Sequence, residues 1–207
     1  NRISTINNGV DVKAIHDAQP DNELLQMKGS RAAVLMVAGF RVAKDQDTVV
    51  NALNRLDRER YEVWLAGVGV RMDTVKTLVE ELKLEDRVRF LGLRTDVPNV
   101  LKSADIIVMS SHWEGLSLSN IEGMSAGKPF IASDVDGLRE VTSGAGILFQ
   151  ESNSAQLADI ISRLTDDKEY YDTVAADCYQ RAMQFDIHKM VQGYEAVYES
   201  LVAGSRS

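Results

Sequence analysis

Apolar residues in this chain come in short bursts, and amphipathic stretches fill the spaces between them. Runs at 32–37, 61–66, 87–91, 105–109, 129–133 and 147–149 read as strands covered on both faces. Residues 45–56 place Val49, Val50, Leu53 and Leu56 on one helical face. Helices are also predicted at 73–82, 97–102, 136–141, 155–164, 168–184 and 189–202. Residues 14–31 are polar and turn-rich around Pro20-Asp21-Asn22, which predicts a loop with room for one short helix. Strands alternating with helices imply right-handed crossovers and an α/β fold: a doubly wound, six-stranded parallel sheet of Rossmann-like form. With strand order 3-2-1-4-5-6, strands one and four meet at the switch point, and ligands bind beyond their carboxyl ends. The segments leaving those strands are 38–44 and 111–117.

The second of these segments carries the most chemistry. After strand four, Gly115 is expected to allow a sharp turn into a helix that Ser117 or Ser119 can cap and that closes at Gly127, before Lys128-Pro129. Such a strand-turn-helix presents unpaired N–H groups and a positive dipole end to an anion. Glu114 stands just before the turn and Glu122 about one turn inside the helix. Carboxylates suit hydroxyls rather than phosphate, so the ligand expected is a phosphate flanked by polyols, the outline of a nucleotide sugar. Arg41 and Lys44, on the first segment, can neutralise a diphosphate. Taken alone, these cations read equally well as solvated loop charges, and paired glutamates on an acidic chain are usually surface. His112 has no constellation in the sequence. Gly67-Val68-Gly69 lacks the rest of a dinucleotide fingerprint and suits close backbone approach at a corner. Residues 92–96 can offer backbone groups to a base or hold Asp96 as a helix cap.

The 207 residues carry a formal net charge of −8, which argues against nucleic acid or an anionic membrane as the main partner. Cys178 is the one cysteine, so no internal disulfide or cysteine cluster can form, and it is expected to be an inert thiol. No run approaches the length of a membrane span and no basic-then-apolar leader opens the chain, so a cytoplasmic setting is expected. No Ser/His/Asp or Cys/His set stands at usable positions, which disfavours hydrolysis through a protein nucleophile. The opening segment, 1–11, is strand-like up to Asn8-Gly9 and lacks an initiating Met, as expected of a piece cut from a longer protein.

At these residues the chain resembles the carboxyl-terminal domain of a retaining GT-B glycosyltransferase of group 1, or family 4. The resemblance covers nearly the whole chain. It rests on Asn7-Asn8-Gly9-Val10-Asp11, on Leu65-Ala66-Gly67-Val68-Gly69, and on Phe90-Leu91-Gly92-Leu93-Arg94-Thr95-Asp96-Val97-Pro98. Most specific is the spacing of Glu114 and Glu122 within Glu-Gly-Leu-Ser-Leu-Ser-Asn-Ile-Glu-Gly-Met-Ser-Ala-Gly-Lys-Pro. The resemblance implies that Glu114 contacts the transferred sugar and Glu122 the ribose. It implies that the amides of Gly115, Leu116, Ser117 and Leu118 hold the distal phosphate, that Leu93 and Arg94 frame the base through their backbone, and that Lys44 stabilises the departing diphosphate. The donor would be a UDP- or GDP-linked hexose or N-acetylhexosamine, with no metal and no separate cofactor. The family usually carries an Arg five positions before the Lys, where this chain has Gly39; Arg41 is the nearest cation. The implied organisation is a lead-in at 1–31 from an acceptor-binding N-terminal domain, a nucleotide-sugar-binding domain at 32–186, and a helix at 187–207 that can contact that other domain. The acceptor would be a glycan, a lipid-linked sugar or a small molecule. Any membrane contact, peripheral at the inner face, would come through the other half. A nucleotide-sugar epimerase of the same architecture and a non-catalytic nucleotide-binding module are the alternatives.

Overall fold

The structure, a computed structural model, describes residues 5–204, with side chains described up to Val202. Six parallel strands form one sheet: β1 (Ala32–Val37), β2 (Tyr61–Ala66), β3 (Val88–Gly92), β4 (Ile106–Met109), β5 (Phe130–Ser133) and β6 (Ile147–Phe149). Their order is β3-β2-β1-β4-β5-β6, the doubly wound order that places β1 and β4 side by side. At the centre Val34 of β1 lies opposite Val63 on one side and Ile106 on the other. Both faces of the central strands are covered, so apolar residues can run without polar alternation.

The helices are, in chain order, α1 (Val12–Asp17), α2 (Asn22–Lys28), α3 (Gln46–Leu53), α4 (Met72–Glu81) and α5 (Val97–Ser103). They continue with α6 (Leu118–Ser125), α7 (Leu138–Thr142), α8 (Ser154–Asp166), α9 (Lys168–Ala182) and α10 (Ile187–Gly204). One packed layer contains α3, α4 and α8; the other contains α1, α5, α6 and α9. Among the described residues no helix is long and apolar enough to cross a membrane.

Three sequence expectations change. Residues 14–31 hold not a loop but two short helices, each set by a capping carboxylate. Asp11 accepts from the Ala14 N–H at 2.8 Å, and Asp21 from the Glu23 N–H at 2.8 Å. Val12, Ile15 and Leu24 are buried in the core shared with the sheet. Residues 1–4 of the opening segment lie outside the described residues. Its remainder forms no strand, only a single parallel bridge from Val10 to Asp186. The helix expected over 45–56 is shorter, α3 running Gln46–Leu53; a separate 3-10 turn over Val42–Lys44 precedes it, and Asp45 between them takes a left-handed conformation (φ 48°) and caps α3. That kink turns Lys44 toward β4.

Candidate functional site

The segments leaving β1 and β4 are fastened to each other. Ser110 Oγ, fully buried, donates to the carbonyls of Lys44 (3.1 Å) and Asp45 (2.7 Å), and the His112 N–H donates to Ala43 O at 2.9 Å. The His112 ring stacks on Trp113 and its Nδ1 is hydrogen-bonded to Glu151 Oε1 at 2.7 Å. It also lies 4.0 Å from Asp45 Oδ2, whose carboxyl burial pushes up. His112 therefore has partners that sequence spacing did not reveal; it ties the loops after β1, β4 and β6.

Within this corner Lys44 Nζ forms an ion pair with Glu114 Oε1, and the same oxygen accepts from Ser111 Oγ at 2.7 Å. The pair is mostly covered, the side chains being 21% and 12% exposed. Glu122 lies one helical turn inside α6 and lines a pocket of about 280 Å³ with Val37, Ala38, Gly39, Leu93 and Arg94. Among the described residues no hydrogen-bond donor reaches the Glu122 carboxylate, and burial raises its carboxyl above the ordinary glutamate range. Both carboxylates thus border the 38–44 segment: Glu114 meets its Lys44 end and Glu122 its Gly39 end.

Arg94 lines the pocket, but its guanidinium is taken. It donates to Asp21 at 2.6 Å and to both oxygens of Asp96 at 2.8 and 2.6 Å. The guanidinium holds both carboxyls below their usual range and is itself held more firmly charged. Asp96 spends its side chain on Arg94 and makes no side-chain cap of α5. Leu93 is exposed at the pocket rim. Arg41 is exposed, with no ion-pair partner among the described residues, and its Nε lies 3.9 Å from the point where a Cβ on Gly39 would stand. A Cβ there would make only ordinary contact with Val68 O at 3.5 Å, so the backbone does not demand glycine at 39. Gly67 and Gly69 are different. Cβ atoms on them would come within 2.2 Å of Ala38 O and 2.4 Å of Phe40 O, and their absence lets the β1 and β2 loops touch.

Ser117 stands at the N-cap of α6 but makes no side-chain cap bond. The first amides of that helix, with Leu118 at its first position, are left for another acceptor. Gly115 is exposed, without a positive φ and with nothing within 4 Å of a Cβ, so the turn does not owe its shape to that glycine. The constraint lies across from it. Gly137 (φ 82°) packs so closely that a Cβ would stand 2.3 Å from Gly115 O and 2.5 Å from Glu114 O. Leu116 faces the other way and lines a second cavity with Glu140 and Arg181. Ser111, Ser110 and Gly137 were not singled out from sequence. The only signal for the serines is their place at the end of a buried strand, and Gly137 carries none. Among the described residues no group of three or more His, Cys, Asp or Glu side chains is arranged to hold a metal ion.

Comparison with known proteins gives the following. The family model described as "Glycosyl transferases group 1" matches residues 20–181. The chain is 28% identical to the N-acetyl-alpha-D-glucosaminyl L-malate synthase of Bacillus anthracis over 86% of its own length and 48% of that protein's. It is 28% identical to the UDP-Gal:alpha-D-GlcNAc-diphosphoundecaprenol alpha-1,3-galactosyltransferase of Escherichia coli, over 97% of this chain and 55% of that one. Among solved structures, Anabaena Alr3699/HepE in complex with UDP superposes with a TM-score of 0.82 at 25% identity, covering 96% of this chain and 57% of that one. The chain spans about half the length of the curated relatives it matches.

Proposed function

Since this chain belongs to the group 1 glycosyl transferases, we propose that it is the half that holds the nucleotide-sugar donor in a retaining, metal-independent transfer of a hexosyl or N-acetylhexosaminyl group. The observation that carries this reading is the corner itself: Lys44 and Glu114 meet where β4 hands over to an uncapped α6, and Glu122 lines the adjoining pocket. An elongated ligand fits that order of groups. The ribose hydroxyls would donate to Glu122, and the base would lie along the backbone of Leu93 and Arg94. The diphosphate would take the amides of Gly115 to Leu118 together with Lys44 and Arg41. Glu114 would accept from hydroxyls of the sugar.

In the transfer itself the bond from the sugar's anomeric carbon to the diphosphate oxygen breaks, and a bond to the acceptor oxygen forms on the same face. The acceptor's proton passes to the departing diphosphate. Lys44 and the helix dipole stabilise the charge that builds on that leaving group, which makes a protein nucleophile unnecessary. The acceptor, a glycan, lipid-linked sugar or small molecule, would be bound by an N-terminal domain outside these residues, so these 207 residues alone are expected to bind donor without transferring it. UDP is the first nucleotide to try, given the UDP complex of the Anabaena protein.

Calorimetric titration with UDP, GDP and ADP, each with and without its sugar, tests the reading. One nucleoside diphosphate should bind and lose affinity in Glu122→Ala, with Lys168→Ala on α9 as an unaffected control. Absence of binding by all three would overturn it.

A further inference from the structure

We propose that Ser111 is a positioning residue that keeps Glu114 on the sugar side of the site when the donor's diphosphate draws Lys44 away from it. The proposal rests on the donor reading above and adds a step to it. In the ligand-free chain Glu114 Oε1 has two partners, the Lys44 ammonium and the Ser111 hydroxyl at 2.7 Å. Those partners differ in how firmly they are held. Ser111 is fully buried, and its carbonyl accepts from Ser133 Oγ, itself fully buried at the end of β5. Its backbone is therefore fixed to the sheet, and the hydroxyl stands only one carbon away from it. Lys44 is fixed only at its backbone, where Ser110 Oγ grips its carbonyl. Its ammonium ends a flexible four-carbon stem.

A diphosphate arriving at the uncapped start of α6 brings more negative charge than one carboxylate, and an ammonium can turn all three of its donors toward it. Lys44 then changes partners. Glu114 is left beside an anion that repels it, with solvent open on one side of the turn. The hydrogen bond from Ser111 is the contact that survives the exchange. It holds Oε1 and leaves Oε2, which has no hydrogen-bond partner among the described residues, available to what lies beyond the phosphate, which in a donor is the sugar. Without that hydroxyl, the carboxylate is free to turn away from the phosphate and from the sugar together.

The effect of Ser111 should therefore depend on the sugar and not on the nucleotide. Loss of one hydrogen bond to a charged group corresponds to about a tenfold weakening of the sugar-bearing ligand. Calorimetric titration of the 207-residue chain with UDP, UDP-glucose and UDP-N-acetylglucosamine, and with GDP and GDP-mannose, reads both arms. For whichever base the wild type binds, Ser111→Ala should leave the nucleoside diphosphate within about twofold, weaken its sugar conjugate about tenfold, and Ser111→Thr should restore it. Thermal melting of each variant separates a misfolded protein from a mispositioned carboxylate. Equal loss in both arms, loss in neither, or failure of Ser111→Thr to rescue a well-folded Ser111→Ala phenotype would overturn the inference. Absence of nucleotide binding by the wild type would instead bring down the donor reading and this inference with it.

Discussion

Replacing Glu122 by Gln should make the chain more stable and worse at its job. The carboxylate faces the pocket of about 280 Å³ without a donor among the described residues, and burial raises its carboxyl. Glu122 is half-buried, so keeping its charge without a donor costs less than the roughly 1–3 kcal/mol of a fully buried unsatisfied group, about 1 kcal/mol. In a domain of this size that is a rise of about 2–4 °C in melting temperature. The sign depends on pH. With the folded carboxyl raised, the stability it contributes is fully present below the ordinary glutamate range and is lost as pH rises through the folded value. The gap between Glu122→Gln and wild type should therefore be smallest at pH 4 and full at pH 8. Nucleotide binding should move oppositely. Two ribose hydroxyls donating to a charged acceptor are worth more than one donating to an amide carbonyl, by about 2 kcal/mol, or roughly thirtyfold in Kd. Scanning fluorimetry at the two pH values and calorimetry at the higher one measure both. A variant that melts lower at pH 8, or whose gap is the same at both pH values, would show that the carboxylate is satisfied in the free chain. An unchanged Kd would remove Glu122 from the ribose.

Three further outcomes follow from the same geometry. Arg41→Ala should weaken diphosphate binding about tenfold, and Gly39→Arg placed in that background should recover most of it by calorimetry, because position 39 tolerates a side chain and the Arg41 Nε already lies 3.9 Å from its Cβ position. Gly137→Ala should lower the melting temperature by at least about 4 °C, from a left-handed alanine plus a 2.3 Å clash with Gly115 O, and should weaken sugar-conjugate binding by displacing Glu114. Cys178, whose thiol burial pushes up to about 12, should react with a thiol-specific disulfide reagent only as fast as the domain unfolds; a fast stoichiometric reaction of the native chain would contradict its burial.

Strand positions and the parallel, doubly wound class were legible because both depend on features the chain repeats. Buried parallel strands run apolar without alternation, and each crossover needs one amphipathic helix, so β1 to β6 could be read from hydropathy alone. The two short helices α1 and α2 were not legible, since six or seven residues scarcely complete two turns and display no periodicity. Their existence depends on Asp11 and Asp21 as caps, and Asp21 gains a further role only through Arg94, 73 positions away.

The same distinction divides the site. Glu114, Glu122 and Lys44 could be nominated because charge at the carboxyl end of a buried strand, or on the adjoining loop and helix, is locally unusual. What each charge does before a ligand arrives is not local. Lys44 and Glu114 neutralise each other across 70 positions, Arg94 is spent on Asp21 and Asp96, and Arg41 and Glu122 are left without ionic partners among the described residues. A ligand placed here meets two groups that are free and two that must first release each other. The free pair can therefore set initial affinity for the nucleotide and its diphosphate, and Glu114, once Lys44 has turned to the diphosphate, can make full engagement depend on the sugar. This division assigns Glu122 and Arg41 variants to losses shared by a nucleoside diphosphate and its sugar conjugate. It assigns Ser111 and Glu114 variants to losses confined to the conjugate, so measuring both ligands against each variant tests the partition as a whole.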